Sequence, residues 1–381
     1  MVTFKLIIGL MFIWSTAVVL LGLFVAIFKR KESIPLENDQ ILRFACIICA
    51  HNEEVVIHRP IESLLNSDYP EEKLDIVVFA DNCSDRTAEI ANAFGSRVKV
   101  YEKSSPSSGK GDVLHWGVEL IKNNGYDALA IVDADNEVDK FWLKRLNAAM
   151  ARGAKIVTGH RMASNAFKNL ITGWYSVYWN LMNELSNRVR ANLMLSSMLT
   201  GTGFAFRLSV LPEEGWNTKT FVEDLEFAFQ QNVRGNRVVY VDDAVFFDEQ
   251  PISFKPMWRQ LCRWATGGLQ IIRHYLFVWL MALIKMPTPR MFDCFAIITL
   301  GLSGTILLLL DIAEGDMGFL VGYFAFCWAS ALLATFLSRY SIRSLFLPIL
   351  SFPIFVLILS ATVAYSVVHP QHRWKPIQHG N

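Results

Sequence analysis

Residues 128–136 read Ala128-Leu129-Ala130-Ile131-Val132-Asp133-Ala134-Asp135-Asn136, an apolar run closed by two carboxylates one residue apart. A short run of branched apolar residues bounded by polar turn formers has the pattern of a buried strand. In an extended backbone residues i and i+2 point the same way, so Asp133 and Asp135 are expected to face each other's charge, with a cation between them. Similar runs recur at 43–49 (RFACIIC), 74–80 (LDIVVFA), 97–101 (RVKVY) and 154–160 (AKIVTGH). Helix-like segments at 53–65, 84–94 and 112–123 separate the early runs. Strand alternating with helix predicts an α/β domain with a mostly parallel sheet, in which ligands bind beyond the carboxyl ends of the strands.

Polar clusters fall at those ends. Ala50-His51-Asn52-Glu53-Glu54 follows the first run, Asp81-Asn82-Cys83-Ser84-Asp85 the second and Asp133-Ala134-Asp135 the fourth. Singly, each is explained by turn and cap preferences; three on one rim of one sheet form a site. Farther along, Lys110 stands between two glycines in the loop EKSSPSSGKGD (102–112), where its ammonium is expected to swing onto a phosphate, or simply to be solvated. The turn Thr200-Gly201-Thr202-Gly203-Phe204 permits close backbone approach to a ligand. Glu223 and Asp224 stand at an expected helix start, a position the helix dipole alone also favours for acids. On a helix, Gln260, Arg263 and Trp264 share one face through i, i+3, i+4 spacing and offer an amide, a phosphate fork and a flat ring; an interfacial helix also carries Arg and Trp.

The ends of the chain have another composition. The 381 residues are 52% hydrophobic with 27 Phe, more than a soluble core needs. Residues 6–28 carry no charge and are long enough to cross a hydrocarbon layer; the cluster Lys29-Arg30-Lys31 follows, the reverse of a signal peptide's charge order. An uncleaved anchor with its basic flank in the cytoplasm is expected. Three further apolar segments, 292–310, 317–337 and 345–368, are expected to lack the intramembrane charges of an ion pathway. Pro348 and Pro353 suit re-entry or an interfacial course for the last. A net charge of +1 argues against nucleic acid as partner. The six cysteines form no framework, and Cys46 and Cys49 fall on opposite faces of a strand, so both are expected in the core as reduced thiols.

The ordered set A-H-N-E, A-D-N-C-S-D, D-A-D, G-T-G-F, E-D-L-E and Q-L-C-R-W resembles the membrane-bound family 2 glycosyltransferases, the group of hyaluronan, cellulose, chitin-oligosaccharide and poly-N-acetylglucosamine synthases. The motifs span residues 41–270 and the architecture covers the rest. The resemblance implies a GT-A fold, with a transmembrane anchor (1–35), a cytoplasmic glycosyltransferase domain (36–253), interfacial helices carrying Q-x-x-R-W (254–290) and C-terminal transmembrane helices with a tail (291–381). It implies substrate binding by Ala50, His51, Asn52, Glu53, Asp81, Lys110, Asp133, Gly201, Thr202, Gly203, Gln260, Arg263 and Trp264. Glu53 and Asp81 would hold the uridine end of a UDP-sugar, UDP-N-acetylglucosamine or UDP-glucose, with Lys110 near the pyrophosphate. Asp133 and Asp135 would face Mg²⁺ or Mn²⁺, which would supply the missing positive charge. Asp224, beside Glu223, would be the general base; Arg263 would clamp the diphosphate and Trp264 would stack on the acceptor sugar. One base and no carboxylate nucleophile imply inversion at the anomeric carbon.

The implied reaction extends a polysaccharide at the cytoplasmic membrane face, with the product leaving between helices and with a second copy or an accessory membrane protein widening the path. Transfer of one sugar to a lipid-linked acceptor is the alternative enzyme reading, and a membrane sugar-nucleotide receptor the non-enzyme one. The chain departs from the family at 80–83, where Ala-Asp-Asn-Cys replaces Asp-Asp-Gly-Ser, so only Asp81 carries over there. The segment 374–379 (WKPIQH) is similar to a Trp-containing motif near the active-site mouth of relatives, which requires a cytoplasmic tail and an incomplete crossing. A Gly380→Cys variant is therefore expected to react with a membrane-impermeant maleimide from the cytoplasmic side; labelling from the outside alone would refute the placement.

Overall fold

The computed structural model describes residues 2–28, 40–315 and 317–371; the basic cluster 29–31 and the segment 374–379 lie outside them. The strands are β1 (Phe44–Ala50), β2 (Leu74–Asp81), β3 (Val98–Lys103), β4 (Ala128–Asp133), β5 (Glu137–Val138), β6 (Ile156–Ala163), β7 (Phe204–Arg207) and β8 (Val238–Asp248). The helices are α1 (Val2–Phe28), α2 (His58–Leu65), α3 (Thr87–Asn92), α4 (Lys110–Ile121), α5 (Trp142–Ala151), α6 (Leu170–Asn180), α7 (Val189–Asn192) and α8 (Glu223–Val233). They continue as α9 (Phe254–Lys285), α10 (Pro289–Glu314), α11 (Met317–Leu337), α12 (Phe346–Leu350) and α13 (Phe352–Val368). Two compact units result, one from the described parts of Lys31–Met162 and Ser197–Glu249, the other from those of Met1–Arg30, Ala163–Ser196 and Gln250–His372.

The first unit is built on one sheet in the order β3-β2-β1-β4-β7-β6-β8-β5. Strands β3, β2, β1 and β4 run parallel, as the strand–helix alternation requires. Strand β7 is antiparallel to both β4 and β6, and β5 is antiparallel to β8, so the sheet is mixed beyond β4. The central strands are apolar throughout because both faces are covered. Phe44, Cys46 and Ile48 pack on Ile61 and Leu64 of α2 and Trp142 and Leu146 of α5. Ala45 and Ile47 pack on Val113, Leu114 and Val118 of α4 and Phe227 of α8. Period-two alternation thus divides β1 between two cores, and Cys46 and Cys49 fall in different ones as free thiols.

Strand β4 ends otherwise than its extended reading suggests. The Asn136 N–H donates to the Asp133 carbonyl at 3.2 Å, so Asp135 sits in a tight turn and the strict i, i+2 alignment with Asp133 is lost. Asn136, directly after the pair, has the side chain that turns favour.

The second unit is helical. Gly9–Phe28, Phe254–Lys285 and Leu320–Leu337 are long and apolar enough to cross a membrane. The stretch expected in the interface is therefore one continuous 32-residue helix. The last apolar segment breaks at Ser351 between α12 and α13, where Pro348 and Pro353 flank the interruption. Between α6 and α7 the backbone winds as a wider π-type helix over Leu181–Arg188.

The expectation of uncharged apolar segments fails at Asp293 on α10. Its carboxylate, 1% exposed, forms a two-pronged ion pair with Arg190 of α7, at 2.8 Å to Nε and 3.2 Å to Nη2. Trp14 of α1 donates its indole N–H to the same carboxylate at 3.0 Å. A buried charge persists only when paired and hydrogen-bonded, and here two other segments, α7 and α1, supply the partners. Asp293→Leu strands the Arg190 guanidinium and is expected to cost about 3–5 kcal/mol. The double variant Arg190→Met with Asp293→Leu is expected to recover most of the loss in thermal unfolding of the detergent-solubilised protein. Equal losses in single and double variants would show that packing, and not the uncompensated charge, governs the site.

Candidate active site

The loops at the carboxyl ends of β1 and β2 are stitched together by short polar contacts, and Ser107 beyond β3 joins them. Asn52 and Asn82, just beyond β1 and β2, both adopt left-handed backbone (φ 57° and 48°), which asparagine tolerates better than most residues. Asn52 Oδ1 accepts the Ser84 N–H at 2.7 Å, and His51 Nδ1 lies 2.6 Å from the Asp81 carbonyl oxygen. Cys83 Sγ approaches the Ala50 carbonyl at 3.6 Å. Thr87 Oγ1 accepts the Glu53 N–H at 2.8 Å, while Asp85 Oδ2 accepts that of Glu54 at 3.0 Å. The buried Asp81 carboxylate accepts from Asn82 Nδ2 at 2.8 Å and from the Ser107 hydroxyl.

Lys110 is not the freely swinging loop lysine of the sequence reading. It opens α4, where Gly109 (φ 140°) supplies the N-cap backbone, and its Nζ is ion-paired with Asp133, 2.6 Å from the Gly201 carbonyl and 3.8 Å from Glu223 Oε1. Burial draws the ammonium toward its neutral form, but Asp133 and Glu223 outweigh that and hold it charged above the usual lysine range. Among the described residues, the positive charge bonded to Asp133 is thus a side chain of the chain itself.

The Thr200–Phe204 turn lies against the same place. Thr202 Oγ1, fully buried, accepts the Asp133 N–H at 2.9 Å and the Asn136 side-chain N–H at 2.8 Å. Gly203 has φ +67°, and a Cβ there would come 2.1 Å from the Phe246 ring, so glycine is required by both conformation and space. The Gly201 N–H donates to Asp224 Oδ2 at 2.6 Å. Asp224 and Glu223, each 6% exposed, form the first turn of α8. Burial raises the Asp224 carboxyl above the ordinary aspartate range, opposed by the Leu225 N–H, Lys110 and the Gly201 N–H.

The carboxylates on the Glu53 side repel one another. Burial, then the charges of Asp135, Asp133 and Asp85, push Glu53 up to about 9. An all-oxygen set under such repulsion fits a hard divalent cation such as Mg²⁺ or Mn²⁺, with Asp135 and Asp133 as the residues to hold it.

Ala50, His51, Asn52, Glu53, Asp81, Lys110, Asp133, Asp135, Gly201, Thr202, Gly203, Glu223 and Asp224 all fall in the first unit, on one rim of its sheet. Gln260, Arg263 and Trp264 lie on α9 in the helical unit. There the Trp264 ring stacks on Tyr178 (6.0 Å, 23°) and meets Tyr175 and Trp179 edge-on, all three from α6. Sequence reading missed Arg161 of β6, a buried guanidinium bonded to the Thr200 carbonyl and to Asp248. Its only local signal is a His-Arg pair inside the run 156–163. Glu226 was missed as well; its Oε2 accepts the Lys219 and Thr220 N–H groups at 2.8 and 2.7 Å and ties down the approach to α8.

A profile of the family described as glycosyltransferase like family 2 matches residues 42–267. The chain is 29% identical to probable glycosyltransferase YdaM of Bacillus subtilis, over 65% of this chain and 61% of that protein. It is 24% identical to a poly-beta-1,6-N-acetyl-D-glucosamine synthase of Staphylococcus epidermidis, over 64% of this chain and 59% of that one. These alignments thus span about 60% of the length of either relative. A structure of the mannosyltransferase PcManGT from Pyrobaculum calidifontis in complex with GDP-Man and Mn2+ superposes with a TM-score of 0.61 at 18% identity, covering 96% of this chain and 99% of that one, a likeness of fold.

A carboxyl that is neutral when folded but ionised when unfolded makes the native state bind more protons, so its stability falls as pH rises from the unfolded value toward the folded one. For Glu53 that window runs from 4.5 to about 9. Metal-free protein is expected to lose thermal stability between pH 5.5 and 8.5, and Glu53→Gln to flatten that slope. Parallel slopes in the two proteins would contradict the assigned repulsion.

Proposed function

Because the chain belongs to glycosyltransferase like family 2, we propose that it is a membrane-bound inverting glycosyltransferase that moves a sugar from a UDP-sugar onto a growing polysaccharide. The observation that carries this reading is the convergence of Asp81, Asp133, Lys110, Glu223 and Asp224 on one rim of a sheet whose neighbouring strands β1, β2 and β4 run parallel. Such a rim is where α/β domains bind nucleotides. UDP-N-acetylglucosamine and UDP-glucose are the donors to test first, the former because one relative is a poly-N-acetylglucosamine synthase.

In this reading Glu53 and Asp81 hold the nucleoside end, and the loops beyond β1 and β2 form the walls around it. Lys110 presents a fixed ammonium toward the pyrophosphate while its other contacts hold Asp133 and the Gly201 carbonyl in place. A divalent ion held by Asp135 and Asp133 would offset the charge that develops on the leaving diphosphate. Asp224 takes the proton from the acceptor hydroxyl as that oxygen attacks the anomeric carbon and the bond to the diphosphate breaks. The Gly201 N–H orients the Asp224 carboxylate for that transfer and favours its ionised form against the burial that raises it. Arg263 and Trp264, on the helix bearing Gln260, serve as diphosphate clamp and acceptor platform.

In this reading the membrane is the site of action, the catalytic unit is cytoplasmic and the chain crosses more than once; three helices long and apolar enough to span a membrane support it. The proposed division is an anchor (1–35), a glycosyltransferase region (36–253), of which 163–196 fall in the helical unit, a Q-x-x-R-W segment (254–290) and closing helices with a tail (291–381).

The test is release of UDP by the full chain in nanodiscs with a panel of UDP-sugars and Mn²⁺, followed by sizing of the product. Asp224→Asn is expected to lower turnover by about 10²–10⁴-fold. Equal UDP release by wild type and variant would remove Asp224 from the base role, and a lipid-sized product would replace polymerisation with single transfer.

A further inference from the structure

We propose that Arg161 is a positioning residue for the Asp224 carboxylate, acting through the one peptide group that joins Thr200 to Gly201. The inference deepens the reading of Asp224 as base and rests on it. Arg161 Nη1 donates to the Thr200 carbonyl oxygen. The N–H of that same peptide group belongs to Gly201 and donates to Asp224 Oδ2 at 2.6 Å. Guanidinium, peptide and carboxylate therefore form one chain of hydrogen bonds in which each link polarises the next. The next carbonyl, that of Gly201, accepts from Lys110 Nζ at 2.6 Å. Two successive carbonyls are thus pinned by two cations, buried Arg161 and half-buried Lys110, and the intervening N–H points to Asp224.

Burying a guanidinium in a strand interior is costly and needs a compensating partner. Asp248, at the end of β8, supplies the counter-charge through Nη2. That pair by itself would stabilise only the meeting of β6 and β8; the bond to Thr200 extends it to the turn before β7. Gly201 at φ +88° permits the orientation of the relayed peptide, and no atom lies within 4 Å of a Cβ built there, so conformation and not space explains its glycine.

The titratable groups around Asp224 are Lys110 from α4, its partner Asp133 from β4, and Glu223 on α8. Arg161 also feels the charges of Asp133 and Asp135, so exchange at 199–204, read together with the pH response, is what reports the relay.

The test compares wild type, Arg161→Gln, Arg161→Lys and Asp224→Asn as full chains in nanodiscs, by amide hydrogen exchange and by UDP release from UDP-N-acetylglucosamine with Mn²⁺ across pH. Arg161→Gln is expected to speed exchange in a peptide covering 199–204 by about tenfold or more while a peptide covering 44–50 stays protected, since a bond to a charged group is lost. Asp224→Asn is expected to speed the same peptide. Turnover in Arg161→Gln is expected to fall by about tenfold with its acidic limb moved to higher pH and the donor KM unchanged, and Arg161→Lys to recover part of both. Unchanged exchange at 199–204 in folded Arg161→Gln, or an unmoved limb, overturns the proposal. Wild-type turnover in Asp224→Asn overturns the base reading instead, and the exchange data still show whether the chain of bonds exists. If Arg161→Gln fails to fold, the double variant with Asp248→Asn, which removes the stranded carboxylate, takes its place under the same criteria.

Discussion

The rim of the sheet depends on one largely enclosed ammonium. Lys110 binds Asp133 from β4, the Gly201 carbonyl from the turn before β7 and Glu223 from α8, while its backbone starts α4. Four stretches far apart in sequence are fastened at a single charge. A lysine so enclosed is stable only because the carboxylates around it outweigh its desolvation, and those carboxylates are tolerable only because it is there. The balance is incomplete on the far side, where Glu53 still resists ionisation beside Asp135 and Asp133. That residual negative charge is what a divalent cation would answer, and the proposed metal follows from it.

The helical unit carries helices long and apolar enough to meet a different solvent. Hydrocarbon offers no hydrogen bonds, so helices satisfy their own backbones and side-chain charges appear only in closed sets. Asp293 with Arg190 and Trp14 is such a set, and it fastens α10, α7 and α1. The same unit orients Trp264, whose ring is fixed by Tyr175, Tyr178 and Trp179. An aromatic residue proposed to receive a sugar is thereby held by packing on α6, and substitutions on that helix act on it at a distance.

Much of this was readable from local pattern. Apolar runs marked β1, β2 and β4 because a strand covered on both faces must be apolar along its length, whereas β3 at the sheet edge and β6 showed only shorter runs broken by polar residues. The polar clusters after β1, β2 and β4 were visible because a parallel sheet delivers consecutive loops to one edge. The broken final apolar segment was visible in Pro348 and Pro353. Arg161 was not visible, because its meaning lies in Thr200 and Asp248, 39 and 87 residues away. Asp293 was read as part of an apolar stretch because its neighbours are apolar and its partners, Arg190 and Trp14, are 103 and 279 positions distant.

Periodicity and motif order are local or sequential quantities, and they determined the α/β class, the apolar helices and the residues gathered at the rim. Charge pairing is a distance relation between remote segments, so only the tertiary structure decided which cation meets Asp133, how the Asp133–Asn136 turn sets Asp135, and through which peptide Arg161 reaches Asp224. A buried charge must find its partner wherever the fold brings one, and no local window of sequence contains that information.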